Sequence, residues 1–232
     1  MKNLKLLILA FVSFVTIGYS QTDTVAGESR RNEDRRNEEI GRSRDAKRKL
    51  VLGLKAGINR SNVFDEQGLD FVADSKSGFA GGVFLAIPLG GFLGLQPEML
   101  ISQKGFMSTG RIDGDSYTLE RTTTYLDIPL QIQLKPFRFF SVVGGIQYSY
   151  LLNQKDGLNF GSNSSEHNQD FKNDNIRKNI LGLVAGADIN IQHMVLSGRM
   201  SWDLMANRGD GSSYTPRYKN VVLQATLGYR FY

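Results

Sequence analysis

Cysteine is absent from the chain, which excludes a disulfide scaffold, a zinc ribbon, a thiol nucleophile and an iron–sulfur site. Histidine is nearly as scarce: two residues leave little for multi-histidine metal chemistry. No apolar run is long enough to cross a bilayer as a helix, because the longest, residues 6–17, is about a dozen residues against the ~20 required. Neither sign of charge dominates, with 28 Lys+Arg against 23 Asp+Glu and a formal net charge of +5. Glycine runs the other way, at 25 of 232 residues, about 11% against an average near 7%. This length with 41% apolar residues fits one domain, with a tail, that can bury a sizeable surface.

The opening MKNLKLLILAFVSFVTIGYS has a short basic region (Lys2, Lys5), the apolar run, and small residues at Gly18 and Ser20. That is the pattern of a secretory signal peptide over residues 1–20, with cleavage between Ser20 and Gln21. Loss of Lys2 and Lys5 takes the charge from +5 to +3. Residues 21–49 follow with almost no apolar side chains, nine basic and seven acidic. Such a segment cannot bury enough surface to offset its ordering entropy and is expected to be a charged, disordered periplasmic tail. Its opposite charges nearly cancel and no aromatics are interleaved, so a nucleic-acid-binding arm is disfavoured.

From Leu50 onward the apolar period is two. In TYLDIPLQIQLK, Leu126, Ile128, Leu130, Ile132 and Leu134 share one face, and Asp127, Pro129, Gln131 and Gln133 the other. The same alternation marks residues 50–59, 78–89, 92–102, 138–152, 180–191, 194–204 and 220–232. These eight segments have roughly the 9–11 residues that a tilted strand needs to cross a bilayer. Their connections alternate long and short: 59–77 long, 89–91 short, 103–118 long, 135–137 short, 153–177 long, 192–193 short, 205–219 long. The expectation is an all-β fold, an eight-stranded antiparallel up-and-down transmembrane β-barrel over residues 50–232, with long extracellular loops and short periplasmic turns.

One face of the segments is nearly all apolar: Phe79, Val83, Leu85 and Ile87; Leu93, Leu95, Met99 and Ile101; Val221, Leu223, Ala225 and Leu227. The other holds Gly82, Ala86, Gln96, Gln131, Ser197, Ser201 and Gln224 among small and polar residues, which suits a narrow lumen. Phe92, Phe137, Phe140 and Phe231 fall on the short-turn side, and Phe79, Tyr148, Tyr150 and Trp202 on the other, as aromatic girdles would. A soluble ligand-binding barrel, with the faces reversed, is the structural alternative.

GLKAGINRSN, SGFAGGVFLAIPL, LQPEMLISQKG, TYLDIPLQIQLK, ILGLVAGADINI and the closing LGYRFY together resemble the PorT-like outer-membrane β-barrel family of Bacteroidetes. The resemblance covers about residues 50–232, with LQPE and YLDIPL its most specific pieces, and leaves 22–49 outside. It implies an integral outer-membrane location and no enzyme activity, and carries no gliding or secretion role to this chain. The terminal Phe231 and Tyr232 are similar to the aromatic signal read by the outer-membrane barrel assembly machinery.

Lys55, Glu98, Asp127, Arg199 and Arg230 share the lumenal parity, and buried charges must be paired. They are expected to form a polar network that plugs the barrel. The alternatives are a charged constriction of a narrow passive channel, or a gate that opens when the network breaks. Catalysis finds little support. His167 and His193 fall on opposite sides of the membrane, and Ser164, Ser165 and Asp170 near His167 carry no nucleophile-elbow motif. An outer-membrane hydrolase or acyltransferase is the least favoured reading.

No metal or cofactor is expected: Asp65, Glu66, Asp70, Asp74, Asp113 and Asp115 lack the spacing of a calcium loop. Arg208, Gly209 and Asp210 spell an adhesion tripeptide but read more simply as a turn. The partners expected are membrane lipid and an envelope protein contacted through the loops or residues 21–49. The sequence identifies no small-molecule substrate.

Overall fold

The computed structural model describes residues 50–67, 72–112, 115–160, 163–168, 177–208 and 217–231. The signal segment with its Ser20–Gln21 junction, the charged tail and Tyr232 lie outside the described residues. Nine antiparallel strands occur among these residues: β1 (Val51–Gln67), β2 (Val72–Pro88), β3 (Leu93–Ile112), β4 (Asp115–Phe137), β5 (Phe140–Phe160), β6 (Asn163–Asn168), β7 (Asn179–Ile191), β8 (Met194–Asp203) and β9 (Arg217–Phe231). Each of the eight long strands pairs with the next along the chain, and β1 pairs with β9 from Leu52↔Phe231 to Gln67↔Arg217, so the sheet closes on itself. The result is a closed eight-stranded antiparallel barrel. Closure gives every strand of the ring a partner on both sides, as a backbone surrounded by hydrocarbon requires.

The ninth strand, β6, is outside the ring. It pairs with the upper part of β5, from Lys155↔Asn168 to Phe160↔Asn163, where β7 no longer follows. Residues 163–168 were expected within a long loop; they continue the sheet.

The larger departure concerns residues 103–118, also expected as a loop. β3 runs on to Ile112 and β4 starts at Asp115, with unbroken pairing from Gln103↔Thr124 to Ile112↔Asp115. The alternation fades there for a physical reason. Below Ser102 the outward residues are apolar, whereas above it Gln103, Thr109, Thr122 and Thr124 face outward and inward positions include Lys104 and Ser108. Period-two hydropathy therefore marks the apolar band around the barrel and not the full length of its strands.

At the other end the connections are tight. Leu89 and Gly90 donate backbone bonds to Leu93 at 2.9 and 3.1 Å, closing the β2–β3 turn. Gln192 takes a left-handed φ of 50° in the two-residue β7–β8 turn, the handedness that matches strand twist.

Inside and outside are inverted relative to a water-soluble fold. Ile58, Phe79, Leu130, Ile132, Ile146, Leu196, Leu223 and Leu227 are all exposed. Lys55, Glu98, Lys104, Asp127, Asp188 and Arg199 are all buried, each at most 5% exposed. A continuous apolar exterior around a charged interior suits lipid outside and self-pairing inside. Phe92, Phe137 and Phe231 stand exposed on the short-turn side. Two expected outward residues, Leu85 and Leu126, are buried at 2% and 9% exposure, so their surfaces are covered.

Candidate functional site

The candidate site is the lumen, built in layers by inward positions of successive strands. On β3 the even residues from Gly94 to Ser108 point inward, and on β4 the odd ones from Arg121 to Gln133. The two sets interdigitate with inward residues of β1, β7, β8 and β9. Space is so restricted that Phe84, inward and 3% exposed, lies on Gly53: a Cβ there would stand 2.3 Å from the ring. Lys55 sits over the same ring, 5.7 Å from its centroid.

Lys55, Glu98 and Arg199 meet in the lower half of the lumen. Lys55 Nζ is 2.5 Å from Glu98 Oε2, and Arg199 Nη2 is 3.7 Å from Glu98 Oε1. Arg199 is held mainly by Asp188, at 2.8 Å, and donates from Nε to Gln131 Oε1 at 2.9 Å. Gln96 Nε2 donates to Glu98 Oε1 at 2.8 Å.

Asp127 belongs to a separate layer farther from the short turns. Lys104 Nζ approaches its Oδ1 at 3.0 Å, and Ser149 Oγ donates to that oxygen at 2.6 Å. Lys104 also lies 4.7 Å from the Tyr125 ring centroid. Arg230 joins neither layer: it donates to the Asn190 side chain at the short-turn mouth, and Asn190 in turn reaches Ser141. The five expected residues thus do not form one network.

Parity alone left that set unbalanced, with two acids and three bases. Asp188 and Lys104, absent from the expected set, restore balance once Arg230 is set aside: Lys55, Lys104 and Arg199 face Glu98, Asp127 and Asp188. Asp188 pairs with Ser197 and Ala187 with Gly198, so it shares the inward parity of Arg199. The signal was present in the alternation of residues 180–191, which puts Asp188 on the face opposite Leu183 and Ile189. Lys104 was hidden in the stretch taken for a loop.

Above these layers the lumen is filled by aromatic and apolar side chains. Phe106, Val63 and Tyr218 cluster, with Phe106 and Tyr218 edge-to-face at 5.0 Å. Arg121 lies 5.8 Å over the Phe106 ring and grips Asp156 through Nε and Nη2 at 2.7 and 2.9 Å. Tyr125, Leu151 and Ile180 form a second buried group. Between Glu98, Asp127, Gln131 and Arg199 there is room for about one water molecule. Buried polar atoms of Gln133 and Thr226, lower down, have no protein hydrogen-bond partner, so that half of the lumen suits ordered water.

Among the described residues no group of three or more His, Asp and Glu is placed to hold a metal ion. His193 is exposed in the β7–β8 turn, stacked on Tyr229 at 5.6 Å. Asp74 is exposed on β2, while Asp70, Asp113, Asp170, Gly209 and Asp210 lie outside the described residues. Ser164, Ser165 and His167 fall on β6, and Asp65, Glu66 and Asp115 on β1 and β4.

Residues 20–207 match a family model described as an outer membrane protein beta-barrel domain. The match takes in the charged segment and ends before β9. No curated protein matches the sequence. Among solved structures the chain is similar to Ail, the attachment invasion locus protein of Yersinia pestis, with 13% identity, coverage of 78% of this chain and 98% of that one, and a TM-score of 0.46. It is also similar to the outer membrane protein OprG from Pseudomonas aeruginosa (13% identity, 78% and 96% coverage, TM-score 0.38). A further likeness is to the outer membrane protease OmpT from Escherichia coli (10% identity, 78% and 96% coverage, TM-score 0.36).

Proposed function

Because the chain belongs to the outer membrane protein β-barrel domain family, and is an outer-membrane barrel embedded in lipid, we propose that it acts there as a sealed, non-enzymatic scaffold. The observation that carries this reading is the occluded lumen. Lys55, Glu98, Gln131 and Arg199 lie in one layer, each at most 5% exposed, and are bonded to one another across the barrel. A pore needs a continuous aqueous path, and an eight-stranded barrel is just wide enough to be filled by its own side chains.

In this reading the long-loop end faces outward and the short turns face the periplasm. Residues 1–20 direct export and are removed before Gln21, and Phe231 with Tyr232 addresses the assembly machinery. A partner in the envelope is engaged through the loops or through residues 21–49. The motif order that resembles the PorT-like family supports this assignment and supplies no catalytic step.

A narrow passive channel is the second reading, favoured by the unsatisfied lumenal atoms of Gln133 and Thr226. Conductance separates the two. Purified barrel in a planar bilayer is expected to give no steps at moderate voltage, whereas Glu98→Ala with Arg199→Ala, which removes the two side chains that bridge the lower layer, is expected to give them. Steps from the unaltered protein would establish the channel instead.

A further inference from the structure

The outer wall across β1, β9, β8 and β7 has a depression. Two rows of outward residues cross it: Arg60, Leu223, Met200 and Ala185, then Ile58, Ala225, Gly198 and Ala187. Small side chains at Ala225, Gly198 and Ala185 form the floor, while Ile58, Leu223 and Met200 form the walls of a groove of about 480 Å³. At Gly198 an added Cβ would have nothing within 4 Å, so the hollow extends to the backbone itself.

Arg60 lines one end of the groove on the side of the long loops. Its Nε donates to Ser75 Oγ at 3.0 Å, which orients the guanidinium away from the apolar band while the residue stays exposed. The height is set by Trp202, which pairs with Val221 one row beyond Met200↔Leu223, where an aromatic belt meets headgroups. The outward-facing charged side chains described on β1, β8 and β9 are basic: Arg60 in the Met200–Leu223 row, and Arg217 and Lys219 beyond Trp202; the exposed Asp74 on neighbouring β2 is acidic.

We propose that this groove holds an acyl chain of a membrane lipid whose headgroup carries a phosphate monoester, with that phosphate on Arg60. The proposal rests on the reading of the barrel as membrane-embedded and names a lipid that its wall selects. The complementarity is twofold. A smooth wall packs every lipid alike, whereas a chain-sized hollow gives one acyl chain added contact. A guanidinium at phosphate depth donates paired N–H bonds to two phosphate oxygens.

Trp202 is the only tryptophan in the chain and serves as the reporter. The full-length mature protein is placed in phosphatidylcholine bilayers, and its fluorescence is quenched by dibrominated phosphatidylcholine or by dibrominated phosphatidic acid. The expected result is quenching by both lipids, with an about fivefold preference for phosphatidic acid, the factor that one basic side chain supplies at a membrane surface. Arg60→Gln is expected to bring that preference below about twofold. Gly198→Leu, which fills the groove, is expected to weaken quenching by phosphatidic acid while the protein remains folded and heat-modifiable.

Equal quenching by the two lipids, or a preference unchanged in Arg60→Gln, overturns the proposal. So does abolition of the preference by millimolar inorganic phosphate, which would make this a site for the free anion. A dimer in detergent that Gly198→Leu converts to monomer would show a second copy in the groove and overturn it also. Absence of quenching by either lipid would instead remove the membrane placement beneath it.

Discussion

Glu98 is the residue on which two cations converge, and its removal leaves Arg199 with Asp188 and takes from Lys55 the carboxylate it is paired with. Breaking a buried pair by deleting one partner costs about 3–5 kcal/mol, since the remaining charge has no solvent to return to. Glu98→Ala is therefore expected to lose about that much stability in urea unfolding from detergent or lipid. Arg230→Ala, at the mouth and outside the ion pairs, is expected to lose only about 1 kcal/mol, the net worth of a hydrogen bond. Equal urea midpoints for the two variants would refute the layered picture of the lumen. Parity made Glu98, Lys55 and Arg199 legible as neighbours, because strands that cross a narrow barrel must turn their charges inward. It could not say who pairs with whom. Asp127 meets Lys104 because of strand stagger, a quantity that no single strand's sequence records.

Strand pairing at the glycines decides what the elements tolerate. Gly145 on β5 faces Gln131 on β4, and a Cβ built there would stand 2.0 Å from the Leu130 carbonyl oxygen. Backbone cannot yield as a flexible side chain can, so Gly145→Ala is expected to cost about 1–3 kcal/mol and to reduce the heat-modifiable fraction. Gly198→Ala, with open space at the same atom, is expected to leave both unchanged. Matching losses at the two positions would mean that conformational freedom, and not close approach, selects these glycines. The elements most readable in sequence were β7 and β8, whose buried and exposed positions alternate almost throughout. β3, β4 and β5 were read short. Their upper thirds leave the apolar band, so the contrast between faces that reveals a strand is lost while the backbone pairing continues.

For the molecule as a whole, the medium outside the wall sets the cost of a charge. Leu130 lies in the middle of the outward run from Leu126 to Leu134 and is 45% exposed. On a water-soluble protein, Leu130→Arg at such a site would change stability by about 0.5 kcal/mol or less. In a bilayer it is expected to cost about 2–4 kcal/mol, as a basic side chain near the midplane does. Equilibrium unfolding into and out of lipid vesicles measures the difference, and a neutral result would turn the apolar wall toward something other than lipid. Unheated and boiled samples on a detergent gel supply the companion observation: the closed barrel is expected to migrate differently until it is boiled.

The amino-acid sequence by itself determined the class of fold. Period-two alternation over eight segments admits only strands, whereas the expected long connection at 103–118 is paired strand. It also determined which way each side chain in the apolar band faces, because a one-residue slip would put charge into lipid. Tertiary structure decided the stagger around the ring, and with it the separation of the Glu98 layer from the Asp127 layer. It decided that Asp188 and Lys104 complete the charge balance, that β6 continues the sheet beside β5, and that Gly198 opens a hollow beneath Arg60. Alternation is a local property of one strand, whereas each of these depends on the registers of several strands closed into one ring.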